Sequence, residues 1–391
     1  MGSRSCIFML FAAAAAGAHA APRFELEAVP GPAALPGYQV RTIDGFNDRG
    51  QILTTSMPDA FGVDSLNLYT PGTGLASIDP GPAMRIGYDL NERGQVAGVY
   101  DLVAHVFGPG AAGGPVPGLF GISSYAYAIN DRGMVVGQRD GAGAYWYTPD
   151  AGVQYAPRFA DRAIDVNDRD VVLLAADSPG QPYWLHDTAN GTTTTLDFGE
   201  RLGGRAWLND TGDVAFQEVG DFGGATRVHL WRDGVLTGVG GVAGGLSDEL
   251  LDFNDPGWLL GRSYVAGEDG EGTMAGFLNL PGQGTFALDA LIDPASRAGW
   301  TTLLPFKLND AGDIAGWGLY GGEQRLFVLK SVAAPVPEPG TLALLVVGIA
   351  AVGAVTCRRR AASNGSPASS SIHTAGSGTG ADSRLTSTAC G

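Results

Sequence analysis

Asn47-Asp48-Arg49-Gly50 is the phrase that decides the fold, because it returns six more times along the chain. The returns are Asn91-Glu92-Arg93-Gly94, Asn130-Asp131-Arg132-Gly133, Asn167-Asp168-Arg169-Asp170, Asn209-Asp210-Thr211-Gly212, Asn254-Asp255-Pro256-Gly257 and Asn309-Asp310-Ala311-Gly312. Successive Asn positions are 44, 39, 37, 42, 45 and 55 residues apart, the length that one four-stranded propeller blade requires. Asn at the first turn position bonds backbone amides ahead of it, and Gly at the fourth accepts positive φ, so each phrase predicts a β-hairpin tip. Asp170 breaks the Gly rule but can visit the left-handed region, and Pro256 sits where a type I turn disfavours it, so that hairpin is expected to differ.

The flanks extend the reading to a whole unit. A large or apolar residue precedes each Asn: Phe46, Leu90, Ile129, Val166, Leu208, Phe253 and Leu308. After the turn, apolar residues return with rough alternation, as in Gln95-Val96-Ala97-Gly98 and Asp313-Ile314-Ala315-Gly316. A second strand follows most hairpins, for example Leu66 to Thr70, Ala144 to Thr148, Val228 to Trp231 and Leu326 to Leu329. A Gly-bearing turn then leads to a shorter strand such as Gly152 to Tyr155 or Thr194 to Asp197. Gly and Pro punctuate the body too often for long helices. Seven such units hide their sheet edges by closing into a ring. The N-terminal strands Phe24 to Val29 and Tyr38 to Arg41 are expected to complete the blade begun after Asn309. The long last spacing leaves a six- or eight-bladed ring, or two packed sheets, as alternatives. The unit as a whole resembles the HAF-type extracellular repeat, although the His-Ala-Phe triplet is absent and Ala104-His105-Val106-Phe107 comes nearest to it.

The ends of the chain speak to address. Arg4, the apolar run Cys6 to Ala16 and the small-x-small site Ala18-His19-Ala20 read as a cleavable signal peptide. Pro339 to Cys357 carries no charge. As a helix it would span about 28 Å, near the thickness of a bilayer's hydrocarbon. Arg358, Arg359 and Arg360 would hold its C-terminal end on the cytoplasmic side. Pro337-Glu338-Pro339, the apolar helix and the arginines together resemble the PEP-CTERM sorting signal. That family implies an exosortase-type processing protease as partner, with Pro337, Glu338, Pro339, Arg358, Arg359 and Arg360 as the sorting motif. Unlike the family, this chain continues from Ala361 to Gly391, a Ser-, Ala-, Gly- and Thr-rich tail expected to be disordered. The expected organisation is a signal peptide at 1–20, a repeat domain at 21–334, the sorting signal at 335–360 and the tail at 361–391.

The body holds 19 of the 24 basic and 38 of the 40 acidic residues, a formal charge of −19. Such a surface repels nucleic acid and anionic membranes. All three cysteines (Cys6, Cys357 and Cys390) lie outside it, so packing alone must hold it together.

Chemistry is harder to find. The body's three histidines, His105, His186 and His229, fall in different repeats, with no partner at a metal-ligand spacing. No nucleophile elbow, phosphate loop or His-Glu-x-x-His motif occurs. Asp48, Glu92, Asp131, Asp168, Asp210, Asp255 and Asp310 recur because turns favour them. Calcium is the sharper alternative at Asp165 to Asp170 and Asn209 to Asp213, although neither stretch reproduces a full calcium loop. Tyr145, Trp146, Tyr147, Tyr183, Trp184, Trp231, Trp258 and Trp317 suit blade packing and, less directly, sugar stacking. The sequence therefore assigns no catalytic residue, cofactor or metal ligand. It predicts an exported, non-catalytic cell-surface or matrix protein that meets polysaccharide, anchored through its C-terminal helix until processed. A secreted propeller hydrolase or lyase is the alternative.

Overall fold

The computed structural model describes residues 21–332 apart from 61, 109–112, 178–180, 199–202, 220–224 and 267–271. Its strands form seven four-stranded antiparallel sheets. Six of them take four consecutive strands each, with the hairpin phrase joining the innermost strand to the second. Blade 1 begins on Tyr38–Phe46, blade 2 on Arg85–Leu90, blade 3 on Ser124–Ile129, blade 4 on Arg162–Val166, blade 5 on Gly203–Leu208 and blade 6 on Gly245–Phe253. Blade 7 is assembled from both ends of the body. It takes Trp300–Leu308, Ile314–Tyr320 and Glu323–Val332, and Arg23–Ala28 is its outermost strand.

The closure corrects half of the sequence expectation. Arg23–Ala28 does pair with Glu323–Val332, in the register Arg23 to Val332 through Ala28 to Phe327. Tyr38 to Arg41 does not join that sheet; it opens blade 1, paired with Ile52–Pro58. It still touches blade 7, because the Gln324 side chain bonds both the N–H and the carbonyl of Val40, at 2.9 and 3.0 Å. The free edge of Arg23–Ala28 is covered by the segment around Ile292 to Ser296: Phe24 bridges Ile292, its carbonyl accepts the Asp293 amide, and Leu26 donates to Ser296 Oγ. Covering an edge in this way removes a template for strand addition. The 55-residue last spacing reflects long strands in blade 6, the short helix Leu288–Leu291 and the turns up to Gly299, not an extra blade.

Hydrophobic burial follows the same sevenfold plan. Each pair of neighbouring blades shares one apolar core, as between blades 4 and 5, where Leu173, Tyr183, Leu208, Val214 and Phe216 meet. The ring closes on two more of the same kind. Phe24, Leu278, Ile314 and Phe327 join blade 6 to blade 7, and Phe46, Ile52, Ala315 and Leu326 join blade 7 to blade 1. Leu288–Leu291 is the one helix among the described residues, and none there is long and apolar enough to cross a membrane. The predicted signal peptide, apolar span, sorting-motif residues and tail lie outside the described residues.

Candidate functional site at the central channel

The hairpin phrases meet around the axis, and their side chains do more than close their own turns. Each Asn is buried. In the hairpin of Asn130, its Oδ1 accepts the amides of Arg132 and Met134, while its Nδ2 donates to the Asn167 carbonyl of the next blade. The same inter-blade bond runs from Asn47 to Asn91, Asn91 to Asn130, Asn167 to Asn209 and Asn254 to Asn309, at 2.9 to 3.0 Å. Asn209 reaches the Asp255 carbonyl, and Asn309 closes on Asn47, each at 3.4 Å. Seven amides thus stitch seven blades into a closed ring.

The acidic residue after each Asn makes a second ring. The N–H of Asp48 donates to Glu92, Glu92 to Asp131, Asp131 to Asp168, Asp168 to Asp210, Asp210 to Asp255 and Asp255 to Asp310, at 2.6 to 2.8 Å. The Ala311 N–H closes the circuit on Asp48 at 3.0 Å. The turn chemistry holds: the fourth-position glycines have positive φ, and Asp170 joins them at +59°. Pro256 keeps the turn, since the Gly257 amide still bonds the Asn254 carbonyl at 2.9 Å, but with no N–H it leaves Asn254 Oδ1 to the Trp258 amide, whereas Asn130 Oδ1 accepts the Arg132 amide as well.

Seven carboxylates in one ring repel each other. Burial first, then the neighbouring Asp310 and Asp210, push Asp255 up to about 7. Burial with Asp48 and Asp210 pushes Asp310 up to about 6. Glu92 and Asp168 are raised from the same causes, burial leading. A carboxyl whose folded pKa exceeds its unfolded value takes up a proton on folding, so the fold loses stability as pH climbs from the unfolded to the folded pKa and carries the full penalty above it. We expect the melting temperature to rise as pH falls from 8 towards 5, and Asp255→Asn to raise it at pH 8 while changing little at pH 5. Thermal scans across that range check this; an unchanged melting temperature at pH 8 would contradict it.

Deeper in the channel, bulges set the lining. In six inner strands the ladder passes over the residue three before the Asn: Asp44, Tyr88, Tyr127, Ile164, Leu251 and Phe306. A bulge turns two successive side chains to one face. Accordingly both that residue and its successor line the channel, whose volume is about 820 Å³. Glycines on the second strand admit the bulges. A Cβ on Gly98 would lie 2.1 Å from the Ile86 carbonyl oxygen, and one on Gly137 would lie 1.8 Å from that of Tyr125.

The successor position carries Asp89, Asp165 and Asp252 in alternate blades. Each accepts an amide from the next blade: those of Ile129, Leu208 and Leu308, at 2.9, 2.7 and 2.8 Å. Burial raises all three, and Asp165, with Asp89 adding to the effect, is pushed up to about 7. Asp44 is raised by burial too, while the Thr55 hydroxyl donates to it at 2.7 Å. Among the described residues Lys307 is the one lysine that lines the channel. Burial opposes its charge, but Asp252, Asp89 and Asp44 hold it above the ordinary lysine range.

Beside these acids, on the side away from the hairpin tips, the lining changes character. Tyr88 and Tyr127 meet edge to face with centroids 5.4 Å apart, and Tyr125 stacks on Tyr127 at 6.0 Å. Phe306 stacks on Trp317 at 6.5 Å, and the Arg262 guanidinium lies 5.7 Å above the Phe306 ring. Arg162, Arg205 and Arg262 come from the adjacent blades 4, 5 and 6 and all line the channel. Glu249 bonds Arg262 at 2.7 Å and approaches Arg205 only to 3.8 Å. One mouth is therefore aromatic and arginine-bearing, and the other is a ring of acids.

The residues singled out from sequence distribute differently. The hairpin acids do converge, as the second ring. Tyr145, Trp146, Tyr183 and Trp184 are buried between blades, as blade packing requires. The three histidines stay apart on third strands, with His186 Nδ1 2.9 Å from Thr193 Oγ1 and His229 Nε2 2.6 Å from Glu218. Among the described residues no group of three or more His, Cys, Asp or Glu is placed to hold a metal ion; in the two calcium candidates Asp165 accepts the Leu208 amide and Asp213 accepts the Arg232 guanidinium. Sequence reading missed Tyr88, Tyr127, Arg162, Arg205 and Arg262. Alignment of the phrases on Asn would have exposed the first two, at the variable third position before it.

Beyond the propeller, Pro337-Glu338-Pro339 and the Arg358-Arg359-Arg360 cluster frame an uncharged stretch. Residues 335–360 match the PEP-CTERM protein-sorting motif. A PEP-CTERM motif implies export, membrane-anchored sorting and recognition by an exosortase. No curated protein matches the chain. Similar folds occur among solved structures. A catalytically inactive virginiamycin B lyase from Staphylococcus aureus with quinupristin is 9% identical, covering 78% of this chain and 99% of its own, with a TM-score of 0.48. A puromycin-hydrolyzing peptidase from Mycobacterium tuberculosis is 10% identical, covering 74% and 51%, with a TM-score of 0.49. The β-propeller domain of the trilobed protease from Pyrococcus furiosus is 13% identical, covering 62% and 79%, with a TM-score of 0.43. No activity carries over from any of them.

Proposed function

We propose that the chain is an exported, non-catalytic surface or matrix protein that presents the aromatic mouth of its propeller to extracellular polysaccharide. The observation that carries this reading is the half-buried group of Tyr88, Tyr125 and Tyr127, of which Tyr88 and Tyr127 line the channel together with Phe306. Flat rings held by their neighbours, with one edge left in water, stack on sugar faces at little entropic cost. The address agrees: the PEP-CTERM motif implies export, and the repeat resembles HAF-type extracellular repeats. The channel carboxylates support a non-catalytic role, because Asp89, Asp165 and Asp252 are engaged with amides of neighbouring blades.

One observation favours a second reading, a hydrolase or lyase acting on polysaccharide: Asp165 faces the channel with its pKa pushed to about 7, the range of a general acid or base. Incubation of the full-length protein with a polysaccharide panel, followed by chromatography of the products, separates the two. The expected result is retention on one or more polysaccharides, lost in Tyr127→Ala, with no shortened or unsaturated products. Product release abolished by Asp165→Asn would establish the second reading instead.

A further inference from the structure

We propose that the glycan at this mouth is acidic, and that a uronate carboxylate is read there by Arg205 with Arg262; the proposal rests on the polysaccharide reading above. The body carries 19 basic residues against 38 acidic ones, yet arginines of three successive blades converge on this one opening. Arg162 is paired with Asp177 at 2.7 Å, and the charge to spare lies with the other two. Glu249 is shared between Arg205 and Arg262, so one carboxylate faces two guanidinium groups.

The two arginines differ in a useful way. Arg262 is held: its side chain is 18% exposed, bonded to Glu249 and packed over Phe306. Arg205 is 67% exposed, and its 3.8 Å approach to Glu249 is too long for a strong bond. It can turn to a ligand carboxylate without breaking anything of value, and the planar fork suits a carboxylate better than an ammonium would. Glu249 already marks where an anion sits between the two groups. The acid ring at the opposite mouth repels a polyanion, so the chain binds at the opening and does not thread the channel.

The test uses the full-length protein with three probes of similar length: polygalacturonate oligosaccharides, neutral galactan oligosaccharides and cationic chitosan oligosaccharides. Calorimetric titration is expected to show polygalacturonate binding at least about tenfold more tightly than galactan, with affinity falling as salt rises. Arg205→Gln should cost about tenfold towards polygalacturonate and leave galactan binding unchanged, with Arg205→Lys intermediate. Because Arg205 is exposed, its variants should melt with the wild type. Equal binding of the acidic and neutral probes, or preference for chitosan, would overturn the acidic assignment and leave the polysaccharide reading standing if Tyr127→Ala abolishes it. Failure of all three probes to bind would overturn both.

Discussion

Removal of residues 21–30 is expected to abolish cooperative folding of the propeller, although those residues belong to one short strand and the turn after it. Arg23–Ala28 supplies the fourth strand of blade 7, so hydrogen bonds in that sheet tie the end of the ring to the segment that leads into blade 1. Phe24 is fully buried and Leu26 nearly so, both in the core between blades 6 and 7. Burial of those two side chains contributes about 4–5 kcal/mol. The ladder to Glu323–Val332, with the Asp293 and Ser296 contacts, adds backbone bonds at about 1 kcal/mol each. The sum approaches the whole stability of an ordinary domain, about 5–15 kcal/mol. Loss of the strand also bares the edge of Glu323–Val332, a template for aggregation. A milder variant keeps the test readable: Phe24→Ala should destabilise by about 3–5 kcal/mol while leaving a single transition. Circular dichroism melts would check both. A truncated chain that still melts cooperatively near the wild-type temperature would show that the ring does not depend on this closure. Addition of a peptide spanning residues 22–30 to the truncated protein should restore part of the transition, because the missing strand is self-contained.

The contrast between this strand and the hairpins shows what a sequence can reveal. The seven hairpin tips were legible because their chemistry is local: Asn accepts amides two and four residues ahead, and positive φ at the fourth position selects Gly or Asp170. The closing strand was half legible, since Phe24 to Val29 had no partner nearby while blade 7 lacked a fourth strand. Tyr38 to Arg41 went wrong because a β-run names its face but not its neighbour, and the nearer hairpin at Asn47 outcompeted blade 7 for it. The mouth was illegible for another reason. Tyr88 and Tyr127 face the channel because a bulge breaks the alternation, and strand periodicity without the bulge would assign one of each successive pair to the opposite face. Gly98 and Gly137, which leave room for the bulge, are its trace in the sequence. The inter-blade rings could not be read at all, because each donor and acceptor lie a full repeat apart, or 262 residues apart at the Asn309 to Asn47 closure.

Those rings carry the second large effect. Asn130→Ala should destabilise the propeller by about 3–5 kcal/mol. The side chain accepts the Arg132 and Met134 amides at 3.1 and 2.9 Å and donates to the Asn167 carbonyl and Asp170 Oδ1 at 3.0 and 2.8 Å. Asn130 is 4% exposed, so water cannot replace it freely, and each buried group left unpaired costs about 1–3 kcal/mol. An exposed acid at another turn, Asp150→Ala, should change stability by no more than about 0.5 kcal/mol. Asn130→Asp is the sharper variant. It keeps both acceptor contacts but turns the donor into a carboxylate oxygen against the Asn167 carbonyl and the Asp170 carboxylate. It should therefore be at least as damaging as Ala at pH 8 and recover towards the wild type near pH 5, where a protonated Asp can donate again. Denaturant melts at the two pH values measure this. An Asn130→Asp protein as stable as the wild type at pH 8 would mean that the amide donor, and with it the ring between blades, contributes nothing to holding the propeller closed.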